Sequence, residues 1–106
     1  MRKYLVKVKY TKEGTAGLLK DGGTKRQAVV DKLFKSVGGK LEAFYYALGD
    51  TDLYVIAEFP DETSVAAALL AVSASGSVTT SSTALLTPAE IDEATKKTNT
   101  YTPPGV

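Results

Sequence analysis

The side chains able to do chemistry in this 106-residue chain fall in three stretches. The first is Gly22-Gly23-Thr24-Lys25-Arg26. A glycine loop entering a helix leaves backbone N–H groups free beside the positive end of the helix dipole, which suits a carboxylate or phosphate. Lys25 and Arg26 add charge. The stretch has neither GxxxxGK[ST] nor GxGxxG, the spacings that cradle nucleotide phosphates, and a helix break with an ordinary cap is the simpler reading. The second stretch gathers Tyr45, Tyr46, Asp50, Asp52 and Tyr54 around a hairpin turn. Two carboxylates two residues apart can hold a cation or exchange protons. Tyrosines can line an aromatic pocket and place one or two hydrogen bonds. A turn also favours aspartate, whose side chain bonds its own backbone, so the simpler reading is a tight turn between tyrosine-bearing strands. The third is Ser73-Ala74-Ser75-Gly76-Ser77 with Thr79 to Thr83. A nucleophilic serine needs a base, and only a lysine could serve here. No SxxK spacing is present, and a helix stop followed by a polar strand accounts for the stretch.

What is missing narrows the chemistry further. With no cysteine and no histidine, disulfides, thiolate or histidine metal sites, histidine acid–base catalysis and haem ligation by either residue are excluded. No cofactor and no metal are expected. Thirteen Lys and Arg against twelve Asp and Glu give a formal net charge of +1, whereas nucleic-acid binders concentrate a basic excess. The cluster Arg2, Lys3, Lys7, Lys9 and Lys12 reads as a solvated or partner-paired sheet face. No nucleic-acid partner is expected. Met1 to Tyr10 alternates charged and apolar residues and lacks the continuous apolar core of a signal peptide. No run approaches the roughly 20 apolar residues of a membrane helix. The expectation is a cytoplasmic chain without membrane contact.

The elements that must position these residues follow from periodicity. Residues 3–10 alternate as a strand, with Tyr4, Val6, Val8 and Tyr10 on one face. Thr11 can cap a short helical turn covering Leu18 and Leu19, weakened by Gly14 and Gly17. After the break at 21–23, Thr24 with Gln27 three residues on has capping-box spacing. Val30, Leu33, Phe34 and Val37 then form one apolar helical stripe, stopped at Gly38-Gly39. Residues 40–48 and 53–59 read as a hairpin. Strict alternation puts Phe44 and Tyr46 beside Glu42, and Leu41, Ala43 and Tyr45 opposite. Pro60 ends the second of these strands. Asp61 caps a helix to about Ser73, carrying Val65, Leu69 and Val72, with alanines at 66–68 and 71 that permit close packing. After Gly76, residues 77–86 form a polar, threonine-rich strand suited to an edge or interface. Thr87-Pro88-Ala89-Glu90 starts a last short helix to about Thr98, and residues 101–106 form an extended tail.

The order β-α-β-β-α-β with a C-terminal helix is the split βαβ pattern. It predicts an α+β, ferredoxin-like sandwich with an antiparallel four-stranded sheet, both main helices on one face, and one domain over residues 1–106. Leu5, Phe44, Tyr46, Tyr54 and Ile56 would lie on the other face among Lys7, Lys9, Glu42 and Glu58. So apolar a face seeks cover, and the expectation is a homodimer, or a higher homo-oligomer, through it.

The chain resembles the GYD domain family over nearly its whole length. The matching stretches are Tyr4-Leu5-Val6, Lys9-Tyr10-Thr11, Gly38 through Tyr46, the Gly49-to-Asp52 turn, Pro60-Asp61, Val72 through Gly76, and Leu85-Leu86-Thr87-Pro88. Thr51 stands where the family's signature has tyrosine, so no role of that ring or hydroxyl carries over. The family is similar to the dimeric α/β-barrel group, which implies a dimer; that group includes cofactor-free monooxygenases, isomerases, haem enzymes and ligand-sensing regulatory modules, and the fold alone selects none of them, because function lives in the site. The leading expectation is a small-ligand-binding or regulatory module, with Arg26, Tyr46 and Asp52 as ligand-binding residues. The alternative that the resemblance implies is a cofactor-independent monooxygenase or isomerase acting on an aromatic or polyketide-like substrate. Tyr46 and Asp52 would then transfer protons and Arg26 would hold an anion. A purely structural subunit is the third reading.

Overall fold

The computed structural model describes all of residues 1–106. The chain runs β1 (Arg2–Tyr10), α1 (Lys12–Asp21), α2 (Gly23–Ser36), β2 (Lys40–Tyr46), β3 (Leu53–Phe59), α3 (Glu62–Ala74), β4 (Val78–Leu85) and α4 (Pro88–Thr95). The four strands form one sheet in the order β2-β3-β1-β4, every neighbouring pair antiparallel. This is the ferredoxin-like α+β arrangement that the element order predicts. The polar β4 is an edge strand, bonded to β1 alone.

The period-two alternation of β1 and β3 sorts their side chains onto two faces. Tyr4, Val6 and Val8 from β1, with Leu53, Val55, Ala57 and Phe59 from β3, are buried against Phe34 of α2 and Val65 and Ala68 of α3. Phe59 has no solvent exposure. Its ring meets Phe34 edge-on at 4.9 Å and Tyr4 at 6.0 Å, the geometry that ring quadrupoles favour. Burying such a side chain stabilises the fold by roughly 1.5–3 kcal/mol.

Three of the sequence expectations need correcting. First, Thr24 does not cap α2. The helix begins at Gly23, two residues earlier, with Gly22 at the cap position and no side-chain cap. Gly22 sits at φ 84°, a conformation open chiefly to glycine, so α1 can end and α2 begin without a spacer. Second, α1 is a full ten-residue helix rather than a turn. Thr11 caps it by accepting from the Gly14 N–H, and its hydroxyl donates to the Gly76 carbonyl at 2.9 Å. Leu18 turns inward to line a cavity, but Leu19, about 100° further round the helix, points to solvent.

The third correction concerns β2. A bulge between Leu41 and Ala43 shifts its register on β3, because two residues on the bulged strand face one on its partner. Leu41 lies opposite Ala57, Phe44 opposite Val55 and Tyr46 opposite Leu53. Phe44 and Tyr46 therefore face the helices, not the open side, and their rings meet edge-on at 5.4 Å. Tyr45 takes the open side, directly across from Tyr54. The tyrosines of the hairpin are split between the faces, so no single aromatic pocket forms around the turn. The open face carries Leu5, Ile56, Tyr45 and Tyr54 among Lys3, Lys7, Lys9, Glu42 and Glu58, and it is less apolar than strict alternation implies.

At the C-terminal end, α4 has the full capping box. Thr87 accepts from the Glu90 N–H at 3.1 Å, and Glu90 accepts from the Thr87 N–H at 2.9 Å. Arg2 pairs with the same Glu90 carboxylate and ties α4 to β1. These contacts, the Thr87 N–H first and Arg2 second, hold the Glu90 carboxyl below the usual range. The helix stops at Thr95, three residues short of the predicted end. No helix is long and apolar enough to cross a membrane.

Candidate functional site

Between the helix-facing side of the sheet and helices α1, α2 and α3 lies a cavity of about 440 Å³, within the size range of small-molecule sites. Val6, Val8, Leu53 and Val55 form its floor. Leu18 of α1, Val30 and Leu33 of α2, and Leu69 and Val72 of α3 form its walls. The hollow arises from residue size. Gly14 brings α1 close to the end of β1, and beyond that contact α1 and α3 present only Gly17, Ala71 and Ser75 to the cavity, with open space at the Gly17 Cβ position.

The cavity has one charged corner. Asp21, the last residue of α1, and Arg26, in the first turns of α2, both line it. Their closest atoms, Arg26 Nη1 and Asp21 Oδ2, are 3.6 Å apart, and Lys25 Nζ stands 3.6 Å from the other Asp21 oxygen. Both cations of the glycine-loop stretch are thus turned toward one carboxylate of the same chain. Neither the Arg26 nor the Asp21 side chain makes a hydrogen bond.

Tyr10, the last residue of β1, lines the same cavity. Burial, and after it the Tyr46 phenol beside it, push its hydroxyl up to about 12, while the Arg26 charge works the other way. Tyr10 is therefore a protonated phenol, able to donate, throughout the physiological range.

Two of the three residues singled out from sequence, Tyr46 and Asp52, lie behind Tyr10 and do not line the cavity. The Tyr46 hydroxyl donates to the Gly23 carbonyl at 3.1 Å, and its ring lies where a Cβ on Gly23 would come within 2.9 Å. Glycine at 23 is what lets the ring seat against the α2 entry. Asp52 accepts the Tyr10 N–H at 2.8 Å, its own N–H donates to the Val8 carbonyl at 3.0 Å, and its carbonyl accepts from Ala47 at 2.8 Å. It closes the β2–β3 turn onto the end of β1. Arg26, by contrast, lines the cavity directly. The other aspartate of the turn, Asp50, is exposed, and its carbonyl accepts from Lys9 Nζ at 3.3 Å. No group of three or more carboxylates is arranged to hold a metal.

Sequence reasoning missed Tyr10 and Asp21 as site residues. Tyr10 shares the buried face of a strand with Tyr4, and Asp21 reads as a chain breaker before two glycines. The available signal was that each stands at the end of an element, Asp21 directly before the Gly22-Gly23 break.

A family model described as the GYD domain matches residues 4–95 of the chain. No curated protein and no solved structure matches it.

Proposed function

The chain belongs to the GYD domain family, and from that premise we propose that it is a small-ligand-binding or regulatory module whose ligand sits between the sheet and the helices. The observation that carries this reading is the cavity itself. An interior that seats Phe34, Phe59 and Tyr4 edge-to-edge at one end leaves about 440 Å³ open at the other, with apolar walls and a few polar groups gathered at one corner. That is the general composition of a ligand pocket. Binding fits the residues better than proton transfer does, since Tyr46 and Asp52 are engaged by backbone groups and do not reach the cavity.

The test is a thermal-shift and calorimetric screen of apolar small molecules, run on the wild-type chain and on the filling variants Val30→Phe and Val72→Phe. Compounds that raise the wild-type Tm and fail to raise that of variants which still melt cooperatively support the reading. Binding that survives both fillings places the ligand elsewhere and overturns it.

The open sheet face supports assembly as a homodimer. Leu5 pairs with Ile56 and Tyr45 with Tyr54 across its centre, and Tyr45 is 72% exposed. Lysines line β1, and Glu58 and Glu42 lie on β3 and β2. Glu42, which pairs with Lys3 at 3.0 Å, raises the Lys3 pKa. A two-fold axis between such faces can set the lysines of one copy against the carboxylates of the other. Sedimentation equilibrium of the wild type and of Ile56→Glu tests this. A dimer that the substitution dissociates is the expected result, and a wild-type monomer at all concentrations rejects it.

A further inference from the structure

We propose that the ligand of the cavity is an amphipathic monocarboxylate, its apolar body on the strand floor and its carboxylate on the Arg26 guanidinium. This rests on the cavity being the binding site and goes on to name the chemistry of the occupant.

Charge at the corner is the first argument. Arg26 and Asp21 are the charged residues of the lining, and Lys25, outside the lining, holds the other Asp21 oxygen from the solvent side. Asp21 is already shared between two cations, so Arg26 is the lining group left to receive an anion. The rest of the lining carries no other charged side chain. Burying an unpaired charge among those walls is costly, so the charged end of a ligand belongs at Arg26 and its remainder must be apolar.

Geometry is the second. At 3.6 Å the Arg26–Asp21 approach is a loose ion pair, longer than the 2.7–2.9 Å of a charge-assisted hydrogen bond. The guanidinium has five N–H donors in a planar fork and none is used by another side chain or by the backbone. A carboxylate fits that fork through two parallel bonds. When it arrives, Asp21 retains Lys25. The Tyr10 phenol lines the same cavity within the electrostatic reach of Arg26 and shares a hydrogen bond with Tyr46; turned from Tyr46, it would supply a neutral donor for the second carboxylate oxygen. Ser75, Ser77 and Thr80 line the cavity as well, but hydroxyls alone do not select an anion over an alcohol.

The experiment uses the full chain and three pairs of probes with matched bodies: octanoate with 1-octanol, 3-phenylpropionate with 3-phenylpropanol, and octanoate with octylamine. Isothermal titration is expected to show each carboxylate binding at least about tenfold more tightly than its alcohol, as a charge-assisted pair outweighs a neutral one, and octylamine not binding. Arg26→Gln keeps most of the stem and removes the charge. It should abolish the preference for acid over alcohol and leave the alcohol's affinity unchanged. Asp21→Asn frees Arg26 and should tighten the carboxylate alone. If acids and alcohols bind the wild type equally, or Arg26→Gln weakens both to the same extent, the carboxylate inference fails and the cavity reading stands. If no probe binds, and Val30→Phe changes nothing in the binding of the neutral dye Nile red, the cavity reading fails with it.

Discussion

The two ends of the sandwich are built on the same pair of strands and differ in what the helices bring to them. At one end Phe59 of β3 and Tyr4 of β1 meet Phe34 of α2, with Ala57 and Ala68 fully enclosed beside them. At the other, Val8 and Tyr10 of β1 and Leu53 of β3 face Gly14 and Gly17 of α1, and a cavity remains. The strand pattern is equally regular at both ends, so the difference lies in side-chain volume on the helices. A filled end gives cooperativity, because close-packed rings transmit any change in volume. A hollow end gives up those contacts and gains space for a guest. Tyr4 and Tyr10, on one face of one strand, show the contrast. The Tyr4 hydroxyl donates to Glu62 at 3.0 Å, while the Tyr10 hydroxyl belongs to the polar corner of the cavity.

The largest expected effect tests the filled end. Phe59→Ala removes a ring with no solvent exposure and two aromatic partners, and should cost about 3–5 kcal/mol in urea unfolding. Leu69→Ala, on a wall already facing empty space, should cost below the ~2–5 kcal/mol usual for such truncations. Equal losses at the two positions would mean that the hollow closes in solution and that the contrast is not real.

Gly14→Ala should cost about 1–3 kcal/mol. A Cβ on Gly14 would lie 1.9 Å from the Ser77 carbonyl oxygen, and that oxygen already accepts from the Thr11 N–H at 2.9 Å. The obstacle is backbone held by its own bonds, so α1 itself must move. A Gly14→Ala chain as stable as the wild type would show that α1 rides loosely and that the cavity has no fixed roof.

Most of this was legible in the residues themselves. The alternation of Tyr4, Val6, Val8 and of Leu53 through Phe59 fixed the two central strands, and Asp61 and Thr87 announced their helices through local hydrogen bonds that need no tertiary partner. The phase of β2 was not legible. Leu41 through Tyr46 alternate plausibly either way, and the bulge that puts Phe44 and Tyr46 on the helix side exists only in register with β3. For the same reason the hairpin tyrosines read as one cluster when they belong to opposite faces. Among the candidate residues, Arg26 was readable as a cation beside a glycine break. The cavity it serves was not, because a hollow is the absence of side chains from α1 and α3, two elements distant in sequence.

A smaller effect is read by alkaline titration. The Tyr10 hydroxyl, raised to about 12 chiefly by burial and then by Tyr46, ionises later than an ordinary phenol near 10. The folded state therefore holds its proton where the unfolded state has lost it. Its contribution to stability is complete below about pH 10 and is lost as pH climbs through about 12. Tyrosinate absorbance should show a late step that Tyr10→Phe removes. Tyr4 is raised too, first by burial and then by its bond to Glu62, so Tyr4→Phe removes a separate late step. A bound carboxylate should delay the Tyr10 step further and leave that of Tyr4 alone, since only Tyr10 shares the cavity. If the anion moves both tyrosines or neither, it does not sit at the hollow end.

The smallest effect is Gly17→Ala, three residues from Gly14 on the same helix and opposite in sign. A Cβ there meets nothing within 4 Å, and Gly17 has no positive φ to preserve. Alanine in place of glycine inside a helix stabilises by about 0.5–1 kcal/mol, mainly because the unfolded chain has less freedom to lose. The substitution should therefore raise the urea midpoint slightly without changing the slope. Gly17 also lines the cavity, so a larger residue at that position takes ligand space. Gly17→Ala should be more stable and still bind, whereas Gly17→Leu should be at least as stable as wild type and bind weakly. Stability and binding moving in opposite directions along this series would show that the hollow is kept open at a cost in stability. If Gly17→Leu binds as well as wild type, the guest occupies the strand side of the cavity alone and α1 is only its lid.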